Sequence, residues 1–239
     1  MKKRKQTPPP SCDSCDLALP QKICFTREGT GAKGCPTLTA KNILSEANRE
    51  YEAPPIREFA RQASIQEGEC YANRHRRPYV MEPTKTRLVE IREFAQKMGY
   101  QRLGLAFCIG LAKEARVVAE ILKGHGFDVV SVLCKAGRTP KETIGIRDEE
   151  KIYQGTEEAM CNPIYQARRL NLAGTELNIL LGLCVGHDSL FFKYAEAPTT
   201  VLAVKDRVTG HNPLAAVYLA ETYYRKLSVP NTRERKGGR

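Results

Sequence analysis

The sequence predicts an α/β protein: a parallel sheet of about four or five strands with flanking helices, preceded by a helical segment and a cysteine-rich, metal-stapled N-terminal region. Three observations carry this. From Arg102 onward short apolar runs alternate with amphipathic helical stretches, the rhythm of strands joined by helices in a parallel sheet covered on both faces. Residues 37–100 carry apolar positions at helical rather than alternating spacing. Residues 11–36 are rich in Cys, Gly, Lys and Asp, have little hydrophobic periodicity, and cannot build a core from their own side chains.

Taken in order, helices are expected over Thr39–Tyr51, Pro55–Gln66 and Thr84–Met98. The last places Leu88, Ile91, Phe94, Ala95 and Met98 on one face and closes on Gly99. Leu103–Phe107 is the first strand, followed by the helix Ala112–Lys123 and the strand Phe127–Leu133. Pro163–Leu172 reads as a helix with proline in its first turn. Leu177–Leu183 is a strand leading to a helix near His187–Ala195, and Thr199–Val204 is a strand leading to a helix over Pro213–Lys226.

The chain of 239 residues, 41% hydrophobic, is long enough for one or two domains with a real core and is not broadly disordered. The expected divisions are a basic tail (1–10), a cysteine-rich metal-binding element (11–36), a helical segment and α/β domain as one unit (37–227), and a second basic tail (228–239). No apolar segment follows the basic Met1–Lys5, and no run approaches a membrane span, so no membrane role is expected. A cytoplasmic protein is expected, in which nine cysteines are reduced, metal-bound or catalytic rather than paired in disulfides.

The formal charge of +11 invites a nucleic-acid reading. Its location argues against one. Residues 1–10 carry +4 and residues 225–239 carry +5, leaving about +2 for the rest. Solvated tails account for such charge without a polyanionic partner. The remaining basic run, Arg74-His75-Arg76-Arg77, reads as a surface loop or as a site for an anionic ligand.

The cysteines are more informative. Cys108, Cys134 and Cys184 each follow a predicted strand directly. In a parallel sheet all strands point the same way and ligands bind beyond their carboxyl ends, so three thiols are expected at one sheet edge. Cys161 opens the Pro163–Leu172 helix, where the helix N-terminus favours a thiolate, and is a fourth member. Four thiols at one edge are the ligand set of an iron–sulfur cluster or a tetrahedral zinc site. Buried cysteines acting as small hydrophobes are the plainer alternative. His187, Asp188, Lys205 and His211 fall just past predicted strands on the same edge and are candidate ligands or acid–base groups; Arg138 and Arg207 could hold an anionic substrate. No glycine-rich phosphate-binding fingerprint follows any strand.

Cys12-x2-Cys15-x8-Cys24-x10-Cys35-Pro36 is a second ligand set. Two thiolates two residues apart grip one ion from a tight turn, and Gly29, Gly31 and Gly34 let the longer loop return. The metal would supply the folding free energy that this stretch lacks. Zinc and an iron–sulfur cluster both fit. Cys70 is the odd ninth thiol and reads best as a core residue.

The four-cysteine run, Cys161-Asn-Pro-Ile164 with Gln166-Ala167, Gly182-Leu-Cys-Val-Gly-His-Asp188, Val204-Lys-Asp-Arg207 and Gly210-His-Asn-Pro213 together resemble the domain-of-unknown-function 1847 family, from about Cys12 to Leu227. The resemblance implies a metal-binding label and no established reaction. The expectation is a metalloprotein with an iron–sulfur cluster, of the 4Fe–4S type, or zinc: Cys12, Cys15, Cys24 and Cys35 in a structural site, and Cys108, Cys134, Cys161 and Cys184 in a redox or Lewis-acid site. Its partner would be an electron-transfer protein or a small anionic substrate. The alternatives are a metal-free thiol enzyme, with Cys184 or Cys108 as nucleophile and His187 or His211 as base, and a zinc-stapled nucleic-acid-binding module.

Overall fold

The computed structural model describes residues 9–229, so the two expected tails fall almost wholly outside it. The chain forms two compact units, one running to Glu69 and the other starting at Cys70. Composition placed the expected boundary after Pro36 instead. The helical segment is thus divided, with its first helices in the first unit and Thr84–Met98 in the second.

In the first unit, 3-10 turns at Cys12–Ser14 and Leu19–Gln21 lead to a loop closed by the Lys22 to Thr30 bridge, then α1 (Pro36–Thr39), α2 (Lys41–Glu50) and α3 (Pro54–Glu69). The expected helix over Thr39–Tyr51 is broken at Ala40: α1 ends where the Thr39 hydroxyl donates to the Cys35 carbonyl at 2.9 Å. Such back-bonding competes with helix continuation. None of the described apolar side chains of this unit is buried, and Leu19, Phe25, Leu38, Ile43, Leu44, Tyr51 and Ile56 are exposed. The prediction that the cysteine-rich stretch lacks a core of its own agrees with this.

The second unit contains α4 (Arg87–Lys97), β1 (Arg102–Phe107), α5 (Ala112–Gly124), β2 (Asp128–Leu133), α6 (Pro163–Leu172), β3 (Leu177–Leu183), α7 (His187–Tyr194), β4 (Thr199–Val204) and α8 (Leu214–Tyr218). Its four strands are all parallel, in the order β2-β1-β3-β4. Leu103 and Leu105 of β1 pack with Ile91, Ala95, Leu111, Ala115, Val118 and Leu122 against α4 and α5. Ala106 and Cys108 lie in the opposite cluster, with Ala167 and Leu170 of α6 and Phe191 of α7. Alternation along one strand therefore supplies both faces of the sheet, as a doubly covered parallel sheet requires. Phe191 is fully buried at 0% exposure. Phe191→Ala is expected to lower unfolding free energy by about 3–5 kcal/mol, read from the midpoint of urea denaturation.

In β3 the register slips between Leu180 and Leu183, where Gly182 takes φ +68°. Leu181 packs on the α4/α5 face and Leu183, two residues later, on the α6/α7 face. The irregularity reverses the alternation and re-aims the strand end. One expected element is corrected. The Pro213–Lys226 helix is only Leu214–Tyr218, followed by turns and a 3-10 turn at Arg225–Ser228. Thr222, Tyr223 and Tyr224 are weak helix formers, and Tyr223 is 89% exposed, so no packing compensates for their low propensity.

Candidate metal centre at the carboxyl edge of the sheet

Four cysteines reach the carboxyl edge from four segments, and backbone hydrogen bonds fix three of them. The Cys108 amide donates to the Leu181 carbonyl at 3.1 Å and the Cys134 amide to the Phe107 carbonyl at 2.8 Å, extending the sheet by one residue at each strand end. The Asn162 amide donates to the Cys134 carbonyl at 2.7 Å, placing Cys161 beside Cys134. Asn162 then caps α6, its side chain accepting from the Tyr165 amide at 2.9 Å, with Pro163 next in line. The buried Gln166 side chain donates to the Phe107 and Val132 carbonyls at 3.2 and 2.7 Å, tying α6 to the ends of β1 and β2. Its Oε1 is buried without a hydrogen-bond partner.

The thiols are near enough to perturb one another, with Cys134 acting on both Cys108 and Cys161. The Ile109 amide donates to the Cys134 sulfur at 3.4 Å. The neighbouring Cys134 thiol, with burial, pushes the Cys108 thiol up. The neighbouring Cys108 thiol favours the charged form of Cys134, but the Cys161 thiol and burial leave it raised. The neighbouring Cys134 thiol, assisted by the Lys135 ammonium, lowers Cys161 to about 7 against its burial. A neighbouring thiol and a lysine thus lower Cys161, which also directly precedes the Asn162 N-cap of α6. Cys184 lies within the field of Cys161 and accepts a hydrogen bond from Arg207 Nη2 at 3.3 Å.

Cys161 is delivered by the segment 135–160, on which sequence periodicity placed no element. Glu158, 5% exposed, anchors it. Its carboxylate meets Lys141 at 2.9 Å and Lys135 at 3.5 Å and accepts from the Ile152 and Tyr153 amides at 3.0 and 3.3 Å. Lys135 also donates to the Ala159 carbonyl, so the residue after Cys134 grips the chain two residues before Cys161. The Lys141 partner, with the two amides, holds the Glu158 carboxyl down at about 2. A depressed carboxyl stabilises the fold above its unfolded value near 4.5 and loses that contribution as pH falls through about 2. Wild type is therefore expected to be more stable than Glu158→Gln at pH 7, with the gap in urea midpoint closing between pH 5 and 2 as Glu158 protonates.

The remaining candidates divide. His187 opens α7 with its ring in the field of Cys108, Asp188, Lys135 and Lys141; burial lowers its pKa, and its Nδ1 is buried without a hydrogen-bond partner. The Asp188 carboxylate accepts from the Ser189 amide at 2.7 Å. The Lys205 amide donates to the Leu183 carbonyl at 3.1 Å, and its ammonium lies in the field of Cys108. His211 instead clamps its own loop: Nδ1 accepts from the Asp206 amide at 3.1 Å, and its amide donates to the Asp206 carbonyl at 2.8 Å. A neutral ring with Nδ1 so engaged carries its proton on Nε2, which disfavours its expected role as a general base. Arg138 is 78% exposed in its side chain and pairs with Glu157 at 3.4 Å.

In the other unit, Cys12 and Cys24 are exposed and Cys15 and Cys35 partly buried, all as free thiols. Among the described residues, no group of three or more Cys, His, Asp or Glu side chains is spaced as the ligands of an ion. Metal ligands are deprotonated and spread around their ion, an arrangement the sheet-edge thiols do not show. In donor chemistry the set still fits a thiophilic centre: sulfur ligands from separate segments, one of them readily ionised. Cys70 is buried and donates to Glu90 Oε1 at 3.1 Å, consistent with a core residue.

Fold and site together define a parallel α/β protein with a polythiol centre at the carboxyl edge of its sheet. The chain belongs to the family described as protein of unknown function (DUF1847), whose model matches residues 35–202. That match is narrower than the span of resembling motifs: Cys12, Cys15, Cys24, Lys205, Arg207 and His211 lie outside it. An uncharacterised protein of Methanocaldococcus jannaschii, MJ0455, is 42% identical over 216 residues, 90% of this chain and 97% of that protein. Among solved structures, Dph2 from Pyrococcus horikoshii is similar at a TM-score of 0.33 and 16% identity over 61% of this chain. The same protein with a 4Fe–4S cluster gives 0.31 and 18% over 60%. The match spans a third of the Dph2 chains, 33% in each case, and at these scores it transfers no chemistry to this chain. No described helix is long and apolar enough to cross a membrane.

Proposed function

We propose that the protein carries an iron–sulfur cluster, of the 4Fe–4S type, at the sheet edge on Cys108, Cys134, Cys161 and Cys184, and works in a reducing compartment. The observation that carries this is the cluster of thiols Cys108, Cys134 and Cys161, which perturb one another, with Cys184 within their field. Three separate segments converge to form it. When bound, such a cluster supplies electron transfer or a Lewis-acidic iron. The chain's own residues prepare for it. Cys161 gives up its proton near neutral pH, while Cys134 and Cys108 release theirs only as ligands, so loading is expected to release protons and to weaken as pH falls. Gln166 and Glu158 hold the ligand-bearing segments in register. Cys12, Cys15, Cys24 and Cys35 are assigned by their spacing to a structural metal, zinc or iron–sulfur.

Purification without air tests the proposal. A coloured protein with at least about four iron and a matching amount of sulfide per chain is the expected result; a colourless one without stoichiometric iron, with or without zinc, overturns it. A second reading, a metal-free thiol enzyme, is favoured by the lowered Cys161 thiol; the raised Cys108 argues against Cys108 as its nucleophile. It predicts rapid alkylation of one thiol with a midpoint near pH 7, unaffected by iron and sulfide. On the cluster reading, loading protects that thiol.

A further inference from the structure

We infer that Lys205 and Arg207 form an oxyanion subsite beside the thiol edge, taking the carboxylate or phosphate group of a small substrate. The cations around the thiols are not equivalent. Lys135 and Lys141 are both committed to Glu158, and Arg138 pairs with Glu157. Among the described residues no ion pair involves Lys205 or Arg207. The one carboxylate between them, Asp206, turns back to accept from the Val208 and Thr209 amides at 2.9 and 3.0 Å.

Both cations address the thiols. Arg207 donates to Cys184 at 3.3 Å and lies in the field of Cys108 and Cys161; Lys205 lies in the field of Cys108. The Lys205 ammonium lies near two glycines: a Cβ on Gly110 or Gly182 would lie 3.7 or 3.6 Å from its nitrogen. Arg207 spends one of its five N–H donors on Cys184, and Lys205 presents an ammonium with no carboxylate to neutralise it. A guanidinium fork and a compact ammonium, both directed at the same thiol edge, match a planar or tetrahedral oxyanion. Both residues are held in place. The Lys205 amide extends the sheet onto Leu183, and the loop bearing Arg207 is closed by His211 and the Asp206 turn. An anion here sits against the sulfur ligands, where a reactive iron or thiolate would meet the rest of its carrier.

The inference rests on the thiol edge being the working site, and iron content separates the two failures. Full-length protein purified without air is titrated calorimetrically with inorganic phosphate and with malonate at constant ionic strength, with chloride as control. Iron and sulfide are assayed in each sample. One saturable site is expected for at least one anion and none for chloride. Its affinity should fall about tenfold or more in Lys205→Gln and in Arg207→Gln, recover in part in Arg207→Lys, and stay unchanged in Arg138→Gln. Phosphate alone, or malonate alone, identifies which group is taken. Iron-replete samples with no saturable heat, or with affinity unchanged in both folded variants, overturn this inference; the latter is the result if the cations only offset thiolate charge. Samples lacking iron overturn the cluster proposal whatever the heats. Thermal melts establish that each variant is folded, and Lys205→Arg replaces Lys205→Gln if the latter is not.

Discussion

Replacing Cys134 with serine is expected to remove ~90% or more of the sheet-edge iron while leaving the protein folded. Cys134 is the middle of the thiol cluster, accepting from the Ile109 amide and perturbed by both Cys108 and Cys161, at 2% exposure. Serine keeps the size and the hydrogen bonds, but a neutral hydroxyl is a poor ligand where a thiolate is wanted. Its carbonyl would still hold the Asn162 amide, so Cys161 stays in place and the loss is chemical rather than architectural. Cys70→Ser is the control: Cys70 hydrogen-bonds Glu90, belongs to neither ligand set, and should leave iron unchanged. Iron and sulfide assays with far-ultraviolet circular dichroism make the comparison. Equal iron in Cys134→Ser and wild type contradicts the assignment of Cys134.

Gly182→Ala is expected to be strongly disruptive for a single added methyl. Gly182 holds φ +68° inside a buried strand, and a Cβ there would lie 2.2 Å from Leu111 Cδ1. Leu111 is 6% exposed in the α5 core and has little room to yield. Backbone strain and overpacking together are expected to cost about 2–5 kcal/mol. The substituted strand must also re-lay the irregularity that turns Leu183 to the α6/α7 face two residues after Leu181, so iron content should fall with stability. Gly145→Ala isolates the strain: its φ is +81° but nothing lies within 4 Å of the added atom. It should cost about 1 kcal/mol. Urea midpoints that fall equally in the two variants would show that the Leu111 contact contributes nothing.

Much of this arrangement is legible in the sequence because its signals are local. The helix opened by Pro163, the run Leu177–Leu183 and the run Thr199–Val204 have in the structure the bounds that their apolar content and proline suggest. A parallel sheet then sends Cys108, Cys134 and Cys184 to one edge without further information. What depends on tertiary contact is not legible. Glu158 is one acidic residue in a polar stretch without periodicity, and its place as anchor appears only once Lys135, Lys141 and two amides surround it. Cys161 is the lowered thiol while Cys108 is raised, because burial and the neighbours that surround each sulfur are properties of packing. His211 resembles a base in sequence and a loop clamp in space. The apolar spacing of Pro213–Lys226 suggests a helix, yet Tyr218 and Tyr223 are 75% and 89% exposed, and a helical pattern without a surface to cover does not hold.

The measurement that bears most directly on the sheet-edge centre removes the other cysteine set. In full-length protein with Cys12, Cys15, Cys24 and Cys35 all replaced by serine, anaerobic reconstitution with iron and sulfide should still yield about four iron and four sulfide per chain, with the visible absorption of a cluster. Loss of all iron and sulfide from this folded variant, while wild type retains both, would place the cluster on the N-terminal cysteines and contradict its assignment to Cys108, Cys134, Cys161 and Cys184.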